Sequence, residues 1–176
     1  PAADKLYREQ AKRIGAAYPL KYPDTPIAYR DGNAVPKGTP QDILEAGRRF
    51  YHALSPLTAE FFDFMMENEL MDVLSRKGKA AGGYCTELTD FECPFIFANF
   101  KGTQSDVEVI THEAAHAFAA SVNRHKRPTD IQIPTLESCE IHSMTMEFFG
   151  WASAEDFFGE GAKKFCRKHF EDAIKF

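Results

Sequence analysis

Two histidines and a glutamate have the spacing of a metal site in the stretch VITHEAAHAFAASVNR. His112 and His116 are four residues apart, so on a helix they lie on one face and their imidazoles can bind the same ion. Glu113 is one position round that helix and can reach a water molecule on the ion. This H-E-x-x-H pattern predicts two zinc ligands and a general base. The alternative is an ordinary helix face with two hydrogen-bonded histidines.

A catalytic zinc needs a third protein ligand, and the following stretch LESCEIHSMTMEFF offers several. Glu140 shares a helix face with Glu147, and Glu137 could share part of that face. His142 lies about 200° round from Glu140 and is predicted to point elsewhere. We expect Glu147 to orient a ligating imidazole, the alternative being an exposed acid on an amphipathic helix.

The elements that would position these residues are mostly helices. One domain is expected, with a helical part over residues 1–70, a small sheet over 71–104, the zinc-site helices over 105–150 and a last helix over 151–176. Thr39-Pro40 and Ser55-Pro56 each predict a helix start, an N-cap followed by proline at the first helical position.

The starts of the later helices are read from capping signals. A capping box of Ser105 and Glu108 predicts that the motif helix begins at about Asp106. Pro134 is expected to open the next helix after a connecting loop over residues 124–134, and Ser153 is expected to cap the last one. The glycine- and aromatic-rich segments between predict two strands, 83–88 and 95–100.

Composition limits the class of protein. The 176 residues carry a formal net charge of −5 without a basic stripe, which argues against binding to nucleic acid. No apolar run approaches the length of a membrane span. The four cysteines form no CxxC pair and are expected to be reduced, as in a cytoplasmic protein. With Pro1 rather than methionine at the start, the chain is expected to be a piece of something longer.

Two long stretches, GGYCTELTDFECPFIFANFKGTQSDVEVITHEAAHAF and ESCEIHSMTMEFFGW, resemble the oligoendopeptidase F branch of the thimet oligopeptidase family of zinc metallopeptidases, clan MA. The likeness covers nearly the whole chain and is weaker between residues 17 and 38. It implies a zincin-like catalytic core that hydrolyses short peptides. It also implies one zinc ion per chain, with His112, His116 and Glu140 as ligands and Glu113 as the base, and so favours Glu140 over Glu137.

The same resemblance has further implications. Gly82, Gly83 and Tyr84 would belong to a sheet beside the cleft, where an edge strand can pair with an extended peptide. The alternative for the two glycines is a simple turn. Members of the family are about three times as long, with helical regions on both sides of this segment. Because the donors to the tetrahedral intermediate lie in the later region, this chain is expected to be an incomplete and weakly active enzyme that needs the remaining N- and C-terminal parts.

Two other functions stay open from the sequence. The chain could be a metal-binding or structural fragment without turnover. It could also be a zinc hydrolase of another substrate class that uses the same ligands.

Overall fold

The structure is a computed structural model that describes residues 2–126, 132 and 134–175. Within those residues the expectation of a mostly helical chain with a small sheet is confirmed. The helices are α1 (Ala2–Ile14), α2 (Pro40–Leu54), α3 (Pro56–Glu67), α4 (Gln104–Asn123), α5 (Leu136–Phe149), α6 (Ala154–Phe158) and α7 (Ala162–Lys175). The strands are β1 (Met71–Asp72), β2 (Tyr84–Leu88) and β3 (Cys93–Phe97).

The core lies where α2, α3 and α4 pack together. Tyr51 of α2 and Phe62 of α3 are fully buried, and their rings stack with centroids 4.7 Å apart. The Tyr51 hydroxyl donates a hydrogen bond to the Thr111 carbonyl of α4 at 3.1 Å. Each large apolar side chain buried in this way contributes about 1.5–3 kcal/mol. The helix that carries the histidine motif is therefore packed against α2 and α3 on its core face.

The first two predicted helix starts are confirmed, and the third is displaced. The Thr39 hydroxyl accepts from the Asp42 N–H, and the Ser55 hydroxyl accepts from the Thr58 N–H. The predicted box of Ser105 and Glu108 is wrong, because α4 already begins at Gln104.

The start of α4 depends on a different acid. The buried Asp106 carboxylate accepts hydrogen bonds from the backbone N–H groups of Lys101, Gly102 and Thr103. One carboxylate thus pairs the N-cap N–H and two backbone donors of the loop that leads into the helix. Thr103 occupies the N-cap position, so the box lies two residues before the predicted one.

The helices after the motif also differ from prediction. α5 begins at Leu136 with Thr135 as its N-cap, rather than at Pro134. Most of the loop predicted before it lies outside the described residues. The single last helix is in fact two, because the chain breaks at Gly159, whose φ of 54° is unfavourable for other residues. The Ser153 side chain makes no capping hydrogen bond.

The sheet has the order β1-β3-β2, with β1 parallel and β2 antiparallel to β3. The first predicted strand is confirmed to within one residue. The second begins at Cys93 and ends at Phe97 instead of running from 95 to 100, although the Ala98 and Phe100 N–H groups still bond to the Asp72 and Val73 carbonyls at 2.9 and 3.0 Å. β2 lies at an edge of this sheet, and α4 packs against both β2 and β3.

Two further expectations concern the chain as a whole. No two of the four cysteines are paired in the structure. Among the described residues, no helix is both long and apolar enough to cross a membrane.

Candidate metal centre

Helix α4 presents the two motif histidines side by side. Its opposite face buries Ile110, Ala114 and Ala117, which leaves the face of His112 and His116 turned away from the core. The Nε2 atoms of the two imidazoles are 3.2 Å apart. The predicted i, i+4 arrangement is therefore present in the structure.

Helix α5 brings a carboxylate to the same point. Glu140 Oε2 lies 3.1 Å from His112 Nε2 and 3.8 Å from His116 Nε2. These three residues form a group whose potential ligand atoms all lie within 4.8 Å of one another, and Glu137 is not in it. Ligands of a tetrahedral zinc ion with bonds of about 2.0–2.1 Å lie roughly 3.3–3.4 Å apart. The donor atoms therefore fit one such ion.

Ser143 fixes the Glu140 carboxylate, and the sequence analysis missed it. This fully buried serine donates its hydroxyl to Glu140 Oε2 at 2.9 Å. Burial raises the pKa of Glu140, but the Ser143 hydrogen bond and the nearby imidazoles lower it more, so the pKa lies below its usual value. The i, i+3 spacing of the two residues was the available signal.

His142 does not point away from the site, so that prediction is wrong. Its Nε2 lies 3.3 Å from His116 Nδ1, on the side of His116 away from Glu140. An angle measured round α5 says nothing about how far an imidazole reaches across to α4, which packs directly against α5. Burial lowers the pKa of His142.

Glu147 is a half-buried partner of His112 rather than a solvated acid. Its Oε1 lies 2.5 Å from His112 Nδ1, and its Oε2 lies 2.6 Å from Nε2 of His169 on α7. Burial raises the pKa of Glu147, but these two hydrogen bonds lower it by more than burial raises it. The pKa of Glu147 therefore lies below its usual value. His169 was missed because nothing in the local spacing links it to a residue 22 positions earlier.

The pKa values of the motif residues are shifted in different directions. Burial raises the pKa of Glu113, although a backbone hydrogen bond from Cys85 and the charge of His112 act against the shift. Burial and the neighbouring His112 lower the pKa of His116. Burial also lowers the pKa of His112, but the Glu147 hydrogen bond and the nearby carboxylates outweigh it and leave the pKa raised. A raised carboxylate pKa beside imidazoles is typical of a site for proton transfer.

The predicted peptide-binding segment runs directly beside α4. A Cβ on Gly83 would come within 2.7 Å of Val109 Cγ1, so only glycine allows this close approach. Gly82 has a φ of 97°, which favours glycine. Tyr84 is half exposed and stacks on Phe97, with ring centroids 5.2 Å apart.

A cavity opens between β2 and the two site helices. Its volume is about 350 Å³. It is lined by residues of β2, α4 and α5, among them Cys85, Glu87, His116, Cys139 and His142. Space for a ligand therefore adjoins both the sheet edge and the candidate metal ligands.

Comparisons with known proteins identify one peptidase family. Residues 50–164 match the model of peptidase family M3. An X-ray structure of a protein described as an oligoendopeptidase F is 50% identical, with a TM-score of 0.94 over 99% of this chain and 31% of that one. PZ peptidase A with an inhibitor is 49% identical, with a TM-score of 0.94 over 100% of this chain and 31% of that one. A protein from Bacillus anthracis described as an oligoendopeptidase F is 44% identical, with a TM-score of 0.94 over 99% and 32%.

The chain spans about a third of the length of the solved structures it resembles. No protein among the curated ones matches it.

Proposed function

The chain belongs to peptidase family M3, and from that premise we propose that it is the metal-bearing part of a zinc-dependent endopeptidase acting on short peptides. One observation carries the proposal: the Nε2 atoms of His112 and His116 and a carboxylate oxygen of Glu140 converge to within 3.8 Å of one another. Three nitrogen and oxygen ligands that leave a fourth position open are the arrangement of catalytic zinc sites.

His112, His116 and Glu140 would hold one zinc ion per chain. Zinc in such a site polarises a carbonyl group and makes water nucleophilic at neutral pH. Glu113 would accept the proton of the attacking water and deliver it to the leaving amine. The raised pKa of Glu113 supports this role, because a base works best when its pKa approaches the working pH.

The edge strand β2 would hold the substrate. β2 pairs with β3 on one side only within the described sheet, so its other side can accept an extended peptide through backbone hydrogen bonds. Gly83 lets the chain that enters this strand approach α4 closely, Gly82 takes the positive φ of the bend before it, and Tyr84 begins the strand. Backbone pairing places few demands on side chains, which suits an enzyme for many peptide sequences.

The whole enzyme would be larger than this chain. Because the relatives are about three times as long, we propose that their other regions have counterparts that complete the cleft and supply the donors to the tetrahedral intermediate. This chain would then bind zinc but turn over slowly. The reduced cysteines suit a cytoplasmic location, which is part of the proposal.

The test is cleavage of an internally quenched peptide by the chain, with and without a zinc chelator. We expect slow cleavage that the chelator abolishes and added zinc restores, and products whose masses show hydrolysis of a peptide bond. Zinc binding without any cleavage would favour a metal-binding fragment without turnover. Zinc-dependent hydrolysis of esters but of no peptide would favour a hydrolase of another substrate class.

A further inference from the structure

His169 is a buried polar residue that is separated from the candidate ligand His112 by the side chain of Glu147. It lies on α7, is 7% exposed and is surrounded by the rings of Phe148, Trp151 and Phe165, with centroids 5.0, 5.8 and 5.7 Å away. Both of its ring nitrogens have hydrogen-bond partners. Nε2 lies 2.6 Å from Glu147 Oε2, and Nδ1 lies 3.1 Å from Trp151 Nε1.

The chemistry of these partners determines where the protons lie. An indole N–H can only donate, so His169 Nδ1 must accept from Trp151 and carry no proton. The proton of a neutral imidazole then sits on Nε2 and is donated to Glu147. An ionised carboxylate can only accept, so Glu147 takes one hydrogen bond from His169 and one from His112 Nδ1.

The consequence reaches the metal site. A proton on His112 Nδ1 leaves the lone pair on Nε2, the atom that faces His116 and Glu140. Trp151 therefore donates to His169, and the Glu147 carboxylate accepts from His169 on one side and from His112 on the other. These hydrogen bonds connect α7 and α5 to α4. Helix α7 therefore contributes to the orientation of His112, a candidate ligand on α4.

We propose that His169 is a positioning residue for the metal site, and that Trp151 selects the His169 tautomer this role requires. The proposal rests on the proposed function for the ligand role of His112. Partners of ligating imidazoles keep the ring orientation and raise its basicity. Without the His169 N–H, Glu147 Oε2 loses its partner in a largely buried position, and the carboxylate can rotate away from His112.

The arrangement of protons can be tested without metal or activity. Long-range ¹H–¹⁵N correlation spectra of the zinc-free chain should show His169 protonated on Nε2 and not on Nδ1, and His112 protonated on Nδ1. A proton on Nδ1 of His169 would overturn the proposal. This measurement needs no variant, so it does not depend on whether a substitution folds.

Zinc affinity tests the consequence. His169→Phe keeps the ring packing and removes both nitrogens, and we expect the dissociation constant, measured by competition with a fluorescent zinc indicator, to rise about tenfold. His169→Gln should recover most of the loss, because the amide can donate to Glu147 and accept from Trp151. As a matched control, His52→Gln removes another histidine–carboxylate pair, with Asp63 at 2.8 Å, and should leave zinc affinity unchanged.

The outcomes separate the two proposals. Equal zinc affinity in His169→Phe and the unchanged chain would overturn the positioning role. A loss in His169→Phe that His169→Gln does not reduce would also overturn it, since restoring the hydrogen bonds would then have no effect. An unchanged chain that binds no zinc would instead refute the proposed function, and the spectra would still decide the tautomers.

Discussion

Replacing Glu113 by glutamine should separate catalysis from metal binding. The amide has nearly the same size and can still accept the hydrogen bond from the Cys85 backbone, but it cannot take a proton. Glu113 is not one of the three residues whose donor atoms converge. We therefore expect the Glu113→Gln chain to fold and to bind zinc, while its turnover falls.

The size of the effect follows from the assigned role. General-base catalysis typically contributes about 10²–10⁴-fold in rate, which corresponds to roughly 2.7–5.4 kcal/mol in the barrier. Burial raises the pKa of Glu113, which suits a base, so the loss should lie within this range. Zinc affinity should change by less than about tenfold, the smallest loss typical of removing a residue that orients a ligand.

The assay compares chelator-sensitive cleavage of a quenched peptide with zinc affinity in the same preparations. Glu108→Gln, the same substitution earlier on α4, is the matched control and should keep its turnover. Turnover of Glu113→Gln within tenfold of the unchanged chain would mean that Glu113 is not the base. Loss of zinc from the variant would mean that Glu113 holds the site together instead.

Three further predictions concern zinc affinity and stability. Glu147→Ala should weaken zinc binding about 10–100-fold, because His112 loses its hydrogen-bond partner. Glu171→Gln should lower the free energy of unfolding at neutral pH by about 3 kcal/mol, because it leaves Arg13 without its buried partner at 2.7 Å. Phe62→Ala should lower it by about 3–5 kcal/mol through the cavity left in the core.

The Glu171 prediction also has a pH dependence. Burial raises the pKa of Glu171, but hydrogen bonds from Arg13 and Arg167 lower it more, so the folded-state pKa lies below the usual 4.5. The ionised group stabilises the fold fully above about pH 4.5, and this is lost as the pH falls through the folded-state pKa. Denaturant unfolding over acidic pH should therefore show a smaller acid loss in Glu171→Gln than in the unchanged chain.

The Glu147 prediction has a control on the same helix, and the Phe62 prediction would be contradicted by a small loss of stability. Glu137→Ala removes an acid on α5 that is outside the group of converging donors, and its zinc affinity should match that of the unchanged chain. Equal zinc affinity in Glu147→Ala would show that the contact with His112 has no effect on the metal. An unfolding free energy for Phe62→Ala within 1 kcal/mol of the unchanged value would contradict the fully buried position of this ring.

Local spacing was enough to predict much of the fold. The pair His112 and His116 is a periodicity within one helix, and the N-caps Thr39 and Ser55 depend on neighbours three residues away. The start of a helix was harder to predict where two capping signals overlap in the sequence. Both Thr103 with Asp106 and Ser105 with Glu108 have the spacing of a capping box, and they are distinguished only in the structure, where the Asp106 carboxylate is buried and accepts three backbone hydrogen bonds.

Contacts between distant elements could not be predicted in this way. Helical angles placed Glu140 and Glu147 on one face of α5, but the approach of His142 to His116 depends on how two helices pack. His169 meets Glu147 only because α7 folds back against α5. The pair of Arg13 and Glu171 joins residues 158 positions apart, and no local pattern marks either one.

The most direct test of the metal site is diffraction from crystals of the zinc-loaded chain, with data on both sides of the zinc absorption edge. We predict one anomalous peak per chain that appears only above the edge, in contact with Nε2 of His112, Nε2 of His116 and the Glu140 carboxylate. A peak bound by other residues, such as Glu137 or His142 in place of Glu140, would contradict the assignment. The absence of any peak in crystals soaked with excess zinc would contradict it as well.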